Sequence, residues 1–200
     1  FKIGGPADIV IIPLDEDDIK DILRLTSEKK IPLLIIGGGT NLLVSDSGIR
    51  GIVLKIADTL NKIYFEDVKI RAGSGILLSE IISKSCELEL TGLEFAIGIP
   101  GTLGGAITMN AGSSINFISK LVSSVRILDF DGNSYTLQHG DLKFDYRESI
   151  FQKGEKIILE AELILKKGDE ESIKKEISLW KERRGKTQPL IYPNAGCIFK

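Results

Sequence analysis

Residues 98–112 read Gly98-Ile99-Pro100-Gly101-Thr102-Leu103-Gly104-Gly105-Ala106-Ile107-Thr108-Met109-Asn110-Ala111-Gly112. Five glycines in fifteen residues would destabilise an isolated helix or strand, because glycine loses more backbone entropy on folding than any other residue. A close-packed helix crossing would explain Gly104-Gly105-Ala106 but not Gly98-Ile99-Pro100-Gly101. A planar or phosphorylated ligand lying against the backbone explains both parts. The segment therefore predicts a cofactor-binding site.

A second glycine-rich segment, Gly37-Gly38-Gly39-Thr40-Asn41-Leu42, directly follows the apolar run 32–36. Glycines at the carboxyl end of a parallel strand leave backbone N–H groups free to approach a pyrophosphate, although a simple tight turn is the alternative. The segment lacks the Rossmann fingerprint, since Leu42 stands where its third glycine or alanine should be. It also lacks the Gly-Lys-Ser/Thr of a P-loop. We interpret it as a dinucleotide-binding loop that differs from both the Rossmann fingerprint and the P-loop.

The region before residue 58 alternates strands with one helix. Residues 8–12, 32–36 and 51–56 are predicted strands. Asp15 is predicted to N-cap the helix, whose apolar side chains fall on one face at Ile19, Ile22 and Leu23. This order predicts a small, mainly parallel βαβ sheet.

The middle of the chain, residues 58–167, is predicted to be α+β with an antiparallel sheet. Asp131-Gly132 between the predicted strands 125–130 and 134–138 is a strong hairpin signal, and residues 157–165 form a further predicted strand. A strand at 68–71 and a turn at 72–75 should precede a helix with one apolar face: Leu78, Ile81, Ile82 and Cys86.

The last segment, residues 168–200, is predicted to begin with a helix from Asp169 to about Arg184. Its acidic start and basic end suit the helix dipole. Its predicted buried stripe consists of Ile173, Ile177 and Trp180, and Gly185 should begin a loop. The chain is therefore predicted to have three parts: 1–57, 58–167 and an incomplete 168–200.

The composition is that of an ordinary globular protein, 42% hydrophobic and 27% charged. The formal net charge of −2 gives no reason to expect a nucleic-acid partner, and no apolar run approaches the roughly 20 residues of a membrane span. Cys86 and Cys197 are too few and too far apart for a disulfide framework, so a reducing cytoplasm is expected. We expect no metal site.

Five motifs, in this order and spacing, closely resemble the UDP-N-acetylenolpyruvoylglucosamine reductase family: GGGTN at 37–41, AGSG at 72–75, residues 98–112, YRES at 146–149 and PNAGCIFK at 193–200. Some of these motifs are shared with the wider vanillyl-alcohol-oxidase-like FAD superfamily, but the combination is not. The resemblance runs from Phe1 to Lys200. It implies an α+β fold in which two α/β subdomains bind FAD and a third, α+β substrate-binding domain begins.

The resemblance also implies which residues contact FAD. In the first subdomain they are Ile36, Gly37, Gly38, Gly39, Thr40, Asn41 and Leu42. In the second they are Gly98, Ile99, Pro100, Gly101, Thr102, Gly104, Gly105, Ala106, Asn110, Ala111 and Gly112. No histidine or cysteine occurs in 37–46 or 98–112, so we expect non-covalent FAD.

The family's reaction gives further expectations. NADPH is the implied reductant, and the implied partner is a small molecule, the enolpyruvyl UDP-sugar that becomes UDP-N-acetylmuramate in peptidoglycan synthesis. Arg147 matches the arginine that stabilises the carboxylate and enolate, although sequence alone would make it a surface arginine. Cys197 stands where the family carries its proton donor, usually serine; the alternative is a small buried hydrophobe. Arg184 and Gln188 are candidate contacts to the uridine diphosphate.

Two other functions stay open from the sequence: another FAD-dependent oxidoreductase of the same superfamily, or a flavin-binding fragment without catalysis. The family's catalytic glutamate lies beyond Lys200. We therefore expect the 200 residues to be part of a longer, catalytically complete chain.

Overall fold

The computed structural model describes residues 3–113, 115–189, 191 and 195–196. The α+β fold predicted from the sequence is confirmed. The described residues form a three-stranded parallel sheet, a five-stranded antiparallel sheet and two two-stranded sheets.

The helices and strands have these bounds: β1 Ala7–Ile11, α1 Glu16–Lys29, β2 Leu33–Ile36, β3 Ile49–Lys55, β4 Ile63–Glu66, β5 Lys69–Gly73, α2 Leu78–Glu87, β6 Leu90–Thr91, α3 Leu103–Thr108, β7 Gly112–Ser113, β8 Asn116–Phe117, β9 Val122–Asp129, β10 Ser134–Gln138, β11 Lys156–Ile164, β12 Lys166–Lys167 and α4 Glu170–Thr187. Short 3₁₀ turns occupy Glu94–Ala96, Ile118–Lys120, His139–Leu142 and Ile150–Lys153.

The parallel sheet has the strand order β1-β3-β2, and the five-stranded antiparallel sheet has the order β10-β9-β11-β5-β4. The two small sheets pair β6 with β12 and β7 with β8.

Helix α1 begins where the sequence predicts, at the N-cap Asp15. The Asp15 carboxylate accepts hydrogen bonds from the backbone N–H groups of Asp17 and Asp18, at 2.9 and 3.0 Å. These bonds satisfy two of the donors that a helix N-terminus leaves unpaired. The helix ends at Lys30, which adopts the left-handed conformation common at C-caps.

The antiparallel sheet is buried on both faces at its centre. One face, with Ile157 and Leu159 of β11, packs against α1 and the parallel sheet through Ile19 and Leu54. The other face packs against α2 and α3. A bulge between Ile158 and Glu160 shifts the register of β11 partway along the strand. The two sheets and three helices therefore form two hydrophobic clusters that share one central sheet.

An ion pair also links α1 to the antiparallel sheet. The Glu16 carboxylate lies 2.7 Å from the Arg126 guanidinium of β9, and Lys20 lies 3.2 Å from its other oxygen. Partial burial raises the pKa of Glu16, but the hydrogen bonds from Arg126 and Lys20 outweigh it and hold that pKa below the ordinary value. This ion pair favours a single orientation of α1 against the antiparallel sheet.

The structure corrects three details of the predicted elements. Helix α4 continues through Gly185 to Thr187, because Gly185 does not adopt a terminating left-handed conformation. Ala72 and Gly73 belong to β5 rather than to a turn, and strand β4 was not predicted. The predicted stripe of α4 is right: Ile173 is buried, and Ile177 and Trp180 pack on the core. The subdomain boundaries at 57/58 and 167/168 stay predictions.

Within the described part of the chain, every helix is too short or too polar to cross a bilayer.

We predict that Glu16→Gln lowers the free energy of unfolding by about 1 kcal/mol at neutral pH, since both partners are partly exposed. The folded-state pKa of Glu16 is depressed, so its contribution is present above the unfolded pKa, about 4.3, and is lost as the pH falls through the folded pKa. Urea unfolding at neutral pH and at about pH 3.5 measures both effects.

Glu28→Gln, an exposed change on the same helix, is the matched control for the loss of one charge. An equal loss of stability in both variants, or a loss in Glu16→Gln that does not shrink at acidic pH, would contradict the role of the ion pair.

Candidate cofactor site

The fold brings the two glycine-rich segments into direct contact. The first follows β2, and the second precedes and forms α3. The hydroxyl of Thr40 donates to the carbonyl of Pro100 at 3.2 Å, across 60 residues of sequence. A Cβ atom placed on Gly38 would lie 3.5 Å from the Cα atom of Gly101. The predicted binding segments thus form one surface.

Three glycines of this surface are required by the fold itself. A Cβ on Gly37 would lie 2.4 Å from the Thr102 hydroxyl oxygen, and one on Gly104 would lie 2.9 Å from Cβ of Ser74. Gly101 has φ +114°, where L-residues are strained, and its Cβ would approach the Thr40 hydroxyl at 2.8 Å. No ligand is needed to explain these three glycines.

Gly38 and Gly105 are different, because both are exposed and internal packing does not require them. Their added Cβ atoms would meet only ordinary van der Waals neighbours, the nearest at 3.5 and 3.6 Å. In the part of the chain that the structure describes, the backbone N–H groups of residues 38–41 donate to no protein acceptor. Bare backbone with free donors fits an anionic ligand such as a pyrophosphate.

Thr102 begins α3 as its N-cap. Its hydroxyl oxygen accepts a hydrogen bond from the Gly105 N–H at 3.3 Å, which satisfies one free donor of the helix. The remaining predicted FAD contacts fall into two groups. The exposed or half-buried ones are Ile36, Gly39, Asn41, Leu42, Gly98, Ile99 and Pro100. The buried ones are Ala106, Asn110, Ala111 and Gly112.

Arg147 lies at the far end of the second glycine-rich segment. Its Nη2 donates to the carbonyl of Gly112 at 2.9 Å, and the side chain is half-buried. The guanidinium carbon is 5.8 Å from the centre of the Tyr146 ring, within range of a cation–π contact. The structure thus places the predicted catalytic arginine beside the predicted cofactor segment.

Arg184 connects α4 to the same segment. Its Nη1 donates to the carbonyl of Gly98 at 3.3 Å, while its Nε is buried without a hydrogen-bond partner among the described residues. Burial lowers the pKa of Arg184. Gln188 is the C-cap of α4 and donates its N–H to the Arg184 carbonyl at 2.9 Å. Cys197 lies outside the described residues.

Three further residues were not predicted. Ser74 and Glu94 each have a buried side-chain oxygen without a partner in the described part of the chain, and Gln152 contacts the Arg147 loop. The AGSG motif could have drawn attention to Ser74, whereas the sequence gives no signal for Gln152.

Cys86, on the predicted apolar face of α2, is buried, and this burial raises the pKa of its thiol.

Among residues 3–113, 115–189, 191 and 195–196, no group of three or more His, Cys, Asp or Glu side chains is placed to hold a metal ion.

We predict that Gly38→Ala leaves the melting temperature unchanged, because the methyl group meets no obstacle within the protein. The same methyl group would occupy the surface expected to contact FAD, so we expect the Kd for FAD to rise about tenfold or more, equivalent to roughly 1.4 kcal/mol. Flavin fluorescence titration of the apoprotein measures the Kd. The control is Gly140→Ala, where the new methyl has nothing within 4 Å. Equal FAD affinity in both variants would contradict the assignment of Gly38.

The chain matches the family model described as an FAD binding domain over residues 7–138. The curated UDP-N-acetylenolpyruvoylglucosamine reductases of Clostridioides difficile (strain 630) and Caldanaerobacter subterraneus subsp. tengcongensis are 44% and 46% identical to it over 200 residues, which are 100% of this chain but 66% of each relative.

The solved structure of UDP-N-acetylenolpyruvylglucosamine reductase from Thermus caldophilus superposes with a TM-score of 0.82 at 30% identity, over 99% of this chain and 69% of that one. The chain spans 66% of the length of the two curated relatives from Clostridioides difficile and Caldanaerobacter subterraneus. These likenesses and the match over residues 7–138 identify the chain as an FAD-binding domain protein and a member of the UDP-N-acetylenolpyruvoylglucosamine reductase family.

Proposed function

We propose that the protein containing this chain reduces UDP-N-acetylenolpyruvoylglucosamine to UDP-N-acetylmuramate for peptidoglycan synthesis. The observation that supports this most is the placement of Arg147, whose guanidinium is hydrogen-bonded to Gly112 at the end of the cofactor segment. A fixed cation beside a cofactor surface is what reduction of an enolpyruvyl carboxylate requires. Family membership supplies the substrate class.

FAD is the cofactor of the domain family, and we propose that residues 37–42 and 98–105 hold it without a covalent link. The free N–H groups of residues 38–41 would receive its pyrophosphate, and the bare surfaces of Gly38 and Gly105 would let it approach the backbone. Bound FAD would supply the hydride for the reduction, with NADPH as the proposed reductant. The glycine surface fits such a group.

Arg147 would bind the substrate carboxylate and stabilise the enolate that forms as hydride reaches the methylene carbon. Its planar guanidinium matches a carboxylate in a two-point hydrogen bond. One of its nitrogens is already engaged by Gly112, so the group is held before substrate arrives. A donor fixed in advance stabilises developing charge more effectively than a mobile one.

Cys197 would complete the reaction by giving its thiol proton to the carbon next to the enolate carboxylate. An ordinary thiol has a pKa near 8.5, so at neutral pH it is mostly protonated and is a stronger acid than a serine hydroxyl. The thiolate left behind would take a proton from solvent. Hydride and proton together reduce the double bond.

Arg184 and Gln188 are proposed to contact the diphosphate of the UDP-sugar. Among the described residues, the buried Nε of Arg184 has no hydrogen-bond partner, so an anionic ligand could satisfy it. We further propose that the reaction takes place in the cytoplasm, and that the partners are the small-molecule substrate and NADPH rather than a nucleic acid or a membrane.

Anaerobic spectroscopy of the FAD-loaded full chain tests both half-reactions. We expect NADPH to bleach the flavin band and the UDP-sugar to restore it. In Arg147→Ala the bleaching should be unchanged, while restoration should slow at least about 100-fold, because a fixed donor to the developing charge is lost. Cys197→Ala should bleach without restoration, and Cys197→Ser should keep measurable turnover.

Lys143→Ala removes an exposed positive charge four residues from Arg147 and is the matched control. Normal restoration in Arg147→Ala, or failure of the UDP-sugar to reoxidise the wild-type flavin, would contradict the proposed function.

A further inference from the structure

Arg147 has an unfavourable backbone conformation. Its φ is +55°, in the left-handed region that non-glycine residues rarely adopt. On either side of it, Asp145 and Glu148 exchange both backbone hydrogen bonds at 3.1 Å, which closes a tight loop. Such strain persists only where the surroundings over-determine the conformation. The contacts that hold this loop therefore decide where the guanidinium lies.

Asn110 holds one end of the loop. It is 4% exposed, and its Nδ2 donates to the carbonyl of Asp145 at 2.8 Å. Its Oδ1 accepts from the backbone N–H of Ser119 at 3.2 Å. Both ends of the amide are thus used inside the protein. Because Asn110 lies in the second glycine-rich segment, two residues after the end of α3, the loop is fastened to that segment.

Gln152 holds the loop at Arg147 itself. Its Nε2 donates to the Arg147 carbonyl at 2.8 Å from the 3₁₀ turn Ile150–Lys153. Ser149 anchors that turn, since its hydroxyl donates to the carbonyl of Thr108 at 2.7 Å. Gln152 is exposed, so neither core packing nor burial explains its contact. The bond restrains the peptide that follows the strained residue.

We propose that Gln152 is a positioning residue for Arg147, acting together with Asn110 at the other end of the loop. The proposal rests on the function proposed above for Arg147. Asn110 bonds the loop, Gly112 bonds Arg147, and Thr108 bonds Ser149 next to the loop; all three belong to the second glycine-rich segment. The loop is therefore tied to the proposed cofactor surface, and Gln152 restrains the peptide group of Arg147 from the other side.

The test uses Gln152→Ala and Gln152→Glu, whose carboxylate has the same shape but no proton to donate at neutral pH. The control is Lys153→Ala, an exposed change on the same turn. Asn110 is buried, so its substitution could unfold the chain, whereas the exposed Gln152 tests the loop with the fold intact.

The first readout is native-state cleavage by trypsin after Arg147, followed by mass spectrometry. Losing the hydrogen bond should increase loop opening, and so the cleavage rate at this bond, about fivefold in both Gln152 variants. The melting temperature and Lys153→Ala should stay at wild-type values. Cleavage at the wild-type rate in Gln152→Ala would overturn the proposal, whatever the enzyme's activity.

The second readout is the limiting rate of flavin reoxidation by the UDP-sugar. Gln152→Ala should lower it about fivefold and leave the FAD Kd and the reduction by NADPH unchanged. In an Arg147→Ala background the same change should have no further effect, because a positioning residue acts through its target. Additive losses would overturn the proposal. A wild-type flavin that the sugar never reoxidises would instead refute the proposed function, and the trypsin result would still decide the role of Gln152.

Discussion

The contact between Gly37 and Thr102 is the constraint on which the site depends. A side chain at position 37 would place its Cβ 2.4 Å from the Thr102 hydroxyl oxygen, so the end of β2 and the start of α3 can meet only through glycine. The same oxygen caps α3 by accepting from Gly105. Thr102 therefore cannot move aside without removing the helix cap. The two segments are held at one separation, and the bond from Thr40 to Pro100 reinforces it.

The rest of the site extends outward from α3. Leu103 and Ile107 are fully buried, so this short helix is seated in the core beneath the exposed glycine surface. At its end, Asn110 and Gly112 hold the loop that carries Arg147. At its start, Gly98 receives Arg184 from α4. The proposed cofactor surface, the proposed catalytic arginine and the last helix thus all contact the same segment, residues 98–112.

Local signals predicted most of the fold. Asp15 before an apolar stripe gave the start of α1, and Asp131-Gly132 gave the β9–β10 hairpin, because capping and tight turns involve neighbouring residues. Gly185 misled the prediction, since glycine ends a helix only where the chain turns left-handed, and α4 continues instead.

The two segments of the site could be predicted from the sequence, but their arrangement in space could not. That residues 37–42 and 98–112 belong together followed from the resemblance, whereas the division between glycines required by packing and glycines left bare needs coordinates. Contacts between residues that are far apart in the sequence could not be predicted either. Glu16 and Arg126 are 110 residues apart, and Gln152 is an ordinary polar residue until its bond to Arg147 is seen.

Hydrogen exchange at residues 38–41, with and without FAD, tests whether this glycine surface holds the cofactor. These backbone N–H groups have no protein acceptor among the described residues, so we predict rapid exchange without ligand and strong slowing when FAD is bound. The hairpin around Gly132, remote in sequence from both segments, should exchange at the same rate in both states. Unchanged exchange at residues 38–41 under saturating FAD would contradict the claim that this glycine surface holds the cofactor.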